Sequence, residues 1–231
     1  MKMRLVFVWM LVQLSCVSAP WIKQNPTQAD RTGQPPAPEI SATPSSSGAD
    51  PTLFETPAVS ADARRREEYA LYKRILEEML LGSQIQCIVL KDHTTLGYMS
   101  DEDEKTMEYL RGNLPGVTED LLEGFFAQNR EPVMLTPPFK VDVPVFLLST
   151  DEMAEFFSSE NGGGWERFYE TFKGAQGVME FSQAWFNAGM DQALVYAGNQ
   201  SYYLAGAGHL HWMEKQDGTW TTRNTVMVWI S

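Results

Sequence analysis

The chain is poor in cysteine, histidine and basic residues, and it has no apolar stretch long enough to cross a bilayer. Its two cysteines are Cys16 and Cys87, and its three histidines are His93, His209 and His211. Two cysteines so far apart leave no disulfide framework. Cys87, inside the apolar Ile85-Gln86-Cys87-Ile88-Val89-Leu90, reads as a buried, inert thiol. A transmembrane helix needs about 20 consecutive apolar residues, and no run approaches that length. Also missing are a Gly-x-Ser-x-Gly elbow, a zincin helix, a Cys-His metal framework and any internal repeat. The 18 Lys and Arg against 30 Asp and Glu give a net charge of −12, and 14 of the basic and 26 of the acidic residues lie in 61–231. An acidic surface of this kind repels phosphate backbones, which argues against nucleic acid as a partner and serves solubility.

What is present begins with an address. Lys2 and Arg4 precede the apolar run from Leu5 to Leu14, and small residues follow at Ser15, Ser18 and Ala19. That is the charge, core and cleavage layout of an export signal over residues 1–19, so the mature protein is expected in the periplasm, on the cell surface or secreted. Two processing routes fit. Val17-Ser18-Ala19 has the small-x-small pattern for cleavage after Ala19, which would leave Pro20 first. Gln13-Leu14-Ser15-Cys16 resembles a bacterial lipoprotein box, with Ser15 in place and the usual Leu displaced by one position. Cleavage before Cys16 would leave a thiol for lipidation, and the acyl chains would be the protein's membrane anchor.

Residues 20–60 are rich in Pro, Ser, Thr, Ala and Gly, centred on Gln34-Pro35-Pro36-Ala37-Pro38 and Ser45-Ser46-Ser47-Gly48. Such a segment offers too little apolar area to offset its ordering entropy and reads as a disordered tether. At roughly 40 residues its r.m.s. reach is about 35 Å.

Residues 61–231 read as a single α+β domain, long enough for one core. Leu71, Ile75 and Met79, with Leu76 and Leu80, recur at helical spacing across 61–81, and Gly82 ends the run. Arg64 to Arg66 at its start and Glu77, Glu78 at its end oppose the helix dipole and read as a solvated face. A strand is expected over 84–91 and a capped helix from Ser100 or Asp103 to about Arg111. Another helix opens at Thr118, a strand covers Val145 to Leu148, and Ser149-Thr150-Asp151-Glu152 starts a further helix. Four strand-like runs close the chain: Val178 to Phe186, Gln192 to Ala197, Tyr202 to Lys215 and Thr219 to Ile230. Their separators are Gly189-Met190-Asp191, Gly198-Asn199-Gln200-Ser201 and Asp217-Gly218, the last a strong hairpin signal. The pattern predicts N-terminal helices packed on a curved C-terminal antiparallel sheet, a four-stranded meander with room for extra strands. Gly206 and Gly208 mark a bend or a close approach.

Gly163-Gly164-Trp165-Glu166-Arg167-Phe168-Tyr169, Gln192-Ala193-Leu194-Val195-Tyr196, Gly206-Ala207-Gly208, Asp217-Gly218-Thr219-Trp220 and Val228-Trp229-Ile230-Ser231 resemble motifs of a family of uncharacterised bacterial exported proteins. The likeness covers much of 85–231. Where that family typically has Gly before Phe-Asn, this chain has Trp185 before Phe186-Asn187. The resemblance implies an exported protein with no assigned activity. The sheet pattern also looks like nuclear-transport-factor-2-like or cystatin-like architecture, which hosts both enzymes and binding modules.

Few polar groups stand out. His209 and His211, two apart on one strand, share a face and could approach one metal, with a third ligand from His93 or Glu180. No recognised ligand spacing joins them, so the pair reads as sheet-face residues beside Tyr203 and Met213. The aromatic set Trp185, Tyr196, Tyr202, Tyr203, Trp212, Trp220 and Trp229 supplies core packing or lines a cleft. The resulting assignment is a non-catalytic binding module on a tether, its partner an unidentified protein or small ligand, with Tyr203, His209, His211 and Glu180 as binding residues. No catalytic residue, cofactor or metal is assigned. The alternative is a hydrolase or isomerase with a sheet pocket near His209 and His211.

The two processing routes differ in mass. If Cys16 is the anchor, intact-mass analysis of the membrane fraction is expected to show a chain starting at Cys16 with a lipid adduct. An unmodified chain beginning at or after Pro20 would overturn the anchor.

Overall fold

The computed structural model describes residues 60–100, 103–158 and 164–231. The export segment 1–19, Cys16 and the tether up to residue 59 lie outside the described residues.

The expected first helix is helix α1 (Ala61–Leu80). Ser60 caps it, its side chain accepting a hydrogen bond from the Ala63 N–H at 3.2 Å. The i, i+4 stripe buries Leu71, Ile75 and Leu76 together with Tyr72. Its charged residues are less solvated than their number suggests. Glu67 accepts from Lys215 Nζ and Trp220 Nε1, both at 2.7 Å, and Glu68 accepts from the Ala184 N–H at 2.7 Å. The Tyr72 hydroxyl donates to the Ser182 carbonyl at 2.8 Å. These polar ties fix the rotation and height of α1 on the sheet, while the apolar stripe supplies the stabilisation.

After α1 come β1 (Ile88–Lys91), α2 (Glu104–Asn113), α3 (Glu119–Gln128), β2 (Val145–Leu148), α4 (Thr150–Phe157) and α5 (Gly164–Thr171). Strands β3 (Val178–Phe181), β4 (Trp185–Phe186), β5 (Gln192–Tyr202), β6 (Ala205–Gln216) and β7 (Thr219–Ile230) follow. The caps read from the sequence are in place. Asp103 caps α2, Thr118 caps α3, and Ser149 with Glu152 closes a reciprocal capping box on α4. The fold is α+β, with helices towards the N-terminus and strands towards the C-terminus.

The strands form one mixed sheet in the order β2-β1-β3-β5-β6-β7, with β4 pairing separately on β5. Strands β3, β5, β6 and β7 are the antiparallel meander, and β1 and β2 extend it in parallel. Three boundaries differ from expectation, the first being the strand expected over 84–91, which begins only at Ile88. The run Val178 to Phe186 is broken into β3 and β4 at Ser182-Gln183-Ala184, where Ser182 Oγ takes the Tyr196 N–H at 2.8 Å. Gly198-Asn199-Gln200-Ser201 is not a turn but the continuation of β5, and the chain reverses at Tyr203-Leu204 instead. Gly198 serves side-chain packing there, as the site shows. Asp217-Gly218 is the β6–β7 turn, both residues at positive φ (49° and 79°).

The two sheet faces are covered differently. One face carries Leu90, Met179, Phe181, Val195 and Met213 and is covered by α1. The other face carries two separate cores. Leu194, Leu210, Trp212 and Val226 pack under α2 and α3, while Val89 and Val178 pack with Leu148 under α4 and α5. Helix α3 alone buries Leu121, Leu122, Phe125 and Phe126, each worth roughly 1.5–3 kcal/mol of transfer free energy. Two helix pairs over one sheet face leave a gap between them, and that gap is where the site lies.

Gly124 on α3 tests this packing. A Cβ there would overlap the Trp185 indole. Exposed helical Gly→Ala normally stabilises by about 1 kcal/mol. Here overpacking of about 1–3 kcal/mol opposes that gain. Gly124→Ala is expected to lower the melting temperature by about 2–6 °C in a thermal scan. An increase would show that α3 and β4 are not in close contact.

Candidate functional site

Glu180 is a lone charge in the apolar strand Val178-Met179-Glu180-Phe181, and its side-chain direction follows from strand alternation. Val178 faces the α4–α5 core and Met179 the α1 core, so Glu180 faces the gap between the helix pairs. The residue is only 8% exposed. A buried carboxylate needs partners, and it has two. Lys91, at the C-terminal end of β1, donates from Nζ to Oε2 at 2.5 Å. The Tyr196 hydroxyl, from β5, donates to Oε1 at 2.5 Å. Trp229 on β7 donates from Nε1 to the Tyr196 oxygen at 2.7 Å. One chain of hydrogen bonds thus crosses from β1 through β3 and β5 to β7. Burial first, and then the Glu180 carboxylate beside it, push the Tyr196 phenol far above its usual range, so it remains a donor.

Glycine makes room for these rings. Gly198 and Gly208 face each other across β5 and β6. A Cβ at Gly198 would run into the Tyr196 hydroxyl and lie 2.8 Å from Glu180 Oε1, and one at Gly208 would overlap the Trp229 indole. Gly97, in the loop after β1 at φ 61°, closes on the same hydroxyl from above. The close approach expected near Gly206 and Gly208 is therefore the Trp229 indole at Gly208 and the Gln200 side chain at Gly206.

Lys91, Glu180 and Trp229 of this network line a cleft of about 440 Å³, and Tyr196 is buried beneath them. Thr95, Gly97 and Tyr98 form one wall, from the loop that leads to α2. Met153, Phe157 and Trp165, from α4 and α5, form the other, with Tyr202 and Tyr203 of the β5–β6 turn. The rim is aromatic and open to water: Tyr98 is 81% exposed and Tyr203 61%. Tyr98 meets Trp229 edge to face at 5.4 Å, and Tyr202 meets Tyr203 at 5.0 Å.

The structure brings two of the four sequence-selected binding residues together. Glu180 and Tyr203 line this cleft. His209 and His211 do not. They pair with Ala197 and Val195 and, with Met213, point to the α1 side of the sheet, away from Glu180. Their rings are 6.2 Å apart, and Thr225 Oγ1 lies 3.4 Å from His211 Nδ1. His93 is in another shallow cleft, its Nδ1 2.7 Å from Asp92 Oδ1. Among the described residues, no three His, Cys, Asp or Glu side chains come together as a metal site, and no helix is long and apolar enough to cross a membrane. Sequence reasoning missed Lys91, Tyr98 and Trp165 as cleft residues. Lys91 carried a usable signal, a single charge directly after the apolar run Cys87-Ile88-Val89-Leu90.

Comparison with protein-family models, curated proteins and solved structures finds no match.

The histidine face has a pH consequence. Burial, with a smaller contribution from His209, lowers His211 from the ordinary value near 6.5 to about 4. Between those values the unfolded chain binds a proton that the folded chain does not, so stability present above pH 6.5 is lost as pH falls towards 4. One such group contributes at most about 1.4 kcal/mol per pH unit. The drop in melting temperature from pH 7 to pH 5 is expected to be smaller in His211→Gln than in the unmodified protein. Equal drops would show that His211 titrates normally in the fold.

Proposed function

We propose that the protein is an exported cell-envelope binding module that holds a small ligand, without catalysis, in the cleft lined by Glu180 and Lys91. The observation that carries this reading is the combination of a fixed polar floor with an exposed aromatic rim. Ligand sites characteristically pair a mainly apolar lining with a few placed polar groups, within about 300–1,000 Å³. Tyrosines with two rotatable bonds offer contact area at low entropic loss on binding, and Tyr98 and Tyr203 already stand exposed at the cleft mouth.

Absence of catalysis rests on the arrangement of the titratable groups. The described cleft-lining residues include one carboxylate and one amine, each engaged with the other. Nucleophilic or acid–base chemistry needs a base within reach of a nucleophile and a third group to orient it. Each Glu180 oxygen instead accepts one hydrogen bond, from Lys91 or from Tyr196. The hydrolase or isomerase reading draws no support from His209 and His211, which face the other side of the sheet. Export and a tether over residues 20–60 are carried by Lys2, Arg4, the run Leu5 to Leu14 and the composition of the tether itself.

A fragment library screened by protein-observed NMR tests the cleft. Hits are expected to perturb the side-chain indole signals of Trp229 and Trp165 and to weaken at least about fivefold in Tyr203→Ala, whose melting temperature stays unchanged. Fragments that perturb only residues remote from these indoles would overturn the assignment.

A further inference from the structure

Resting on the reading of this cleft as a ligand site, we infer that its ligand is a neutral saccharide. The first step is charge. Lys91 and Glu180 cancel each other at the floor, at 2.5 Å. An anionic ligand would meet the Glu180 carboxylate within a protein of net charge −12, and a cationic one would meet the Lys91 ammonium. A neutral ligand avoids both repulsions.

The second step is hydrogen-bonding capacity. An ammonium has three donors and a carboxylate about four lone-pair sites. Lys91 uses one donor on Glu180, and Glu180 uses one site for Lys91 and one for Tyr196. Spare donors and spare acceptors therefore sit side by side on two bonded groups. A hydroxyl both donates and accepts, so two neighbouring hydroxyls can take a bond from Lys91 and give one to Glu180. A buried ion pair adds little to stability by itself, whereas one that offers free capacity to a cleft fits a recognition role.

The third step is the rim. Tyr98, Tyr203 and Trp229 line the same cleft as Lys91 and Glu180, and Tyr98 and Tyr203 are exposed at its mouth. A pyranose has the matching anatomy, a flat C–H face with hydroxyls at its edges. A peptide also carries donors and acceptors, but the floor here is the side-chain face of β1, β3 and β5. The backbone groups of these strands are paired within the sheet, so an extended peptide finds no ladder to join.

The test is calorimetric titration of the full chain with three neutral trisaccharides, maltotriose, cellotriose and N,N′,N″-triacetylchitotriose, and with trigalacturonic acid as the anionic comparator. At least one neutral trisaccharide is expected to bind and to change tryptophan fluorescence. Tyr98→Ala and Tyr203→Ala, at exposed positions that leave folding intact, are expected to weaken it at least about tenfold. Lys91→Met is expected to do the same. Binding unaltered in both tyrosine variants, or tighter binding of the anionic trimer, would overturn the saccharide assignment. If none of the neutral sugars binds while NMR fragments still map to the Trp229 and Trp165 indoles, the saccharide class falls and the ligand cleft stands. If neither sugars nor fragments act there, both fall together.

Discussion

The carboxylate of Glu180 is the point on which the cleft side of the sheet depends. It sits on β3, the strand that pairs in parallel with β1 and antiparallel with β5. Its two oxygens are bound by one donor from each neighbour, Lys91 and Tyr196. Removing either donor would leave a buried carboxylate oxygen short of a partner, a penalty of about 1–3 kcal/mol or more for a charged group. The seam between the parallel and antiparallel parts of the sheet is thus tied by side chains as well as by the backbone ladder.

That gap follows from how the two sheet faces are covered. Helix α1 covers its face with one continuous stripe, and its charged residues reach the β3–β4 break, β6 and β7 through Ala184, Lys215 and Trp220. On the other face, α2–α3 and α4–α5 each bring their own aromatic core, built on Phe125, Phe126 and Trp212 in one case and on Phe156, Trp165 and Phe168 in the other. Two rigid cores that do not merge leave a trough whose floor must be polar or filled. Rings from Tyr196 and Trp229 fill part of it because Gly198 and Gly208 let them lie against the strands.

Most of the fold was legible because it is written in local chemistry. Ser149 with Glu152, Thr118, Asp103 and Asp217-Gly218 each satisfy or bend backbone within a few residues, so their meaning survives without tertiary context. Gly198 was misread because glycine serves two physical purposes, positive φ and absence of a Cβ, and sequence alone favours the first. The parallel pairing of β1 with β2 and β3 joins segments far apart in the chain, and no local signal encodes it. Glu67 and Glu68 have partners more than 100 residues away in the chain, which no local pattern encodes.

The site was half legible for a related reason. Alternation says that His209 and His211 share a face, and it says the same of Tyr196, Gly198 and Gln200, but it does not say which face meets which helices. Pairing decides that: His211 opposite Val195 goes with α1, and Gly208 opposite Gly198 goes with the cleft. The aromatic set divides by the same rule. Trp220 is in the α1 core and Trp212 is under α2 and α3 with Tyr196, whose hydroxyl reaches Glu180, while Tyr202, Tyr203 and Trp229 line the cleft. A lone charge in a buried strand therefore carried more information about the site than the histidine pair. Burial forces such a charge to recruit partners, and the groups it recruits from neighbouring strands converge on one side of the sheet.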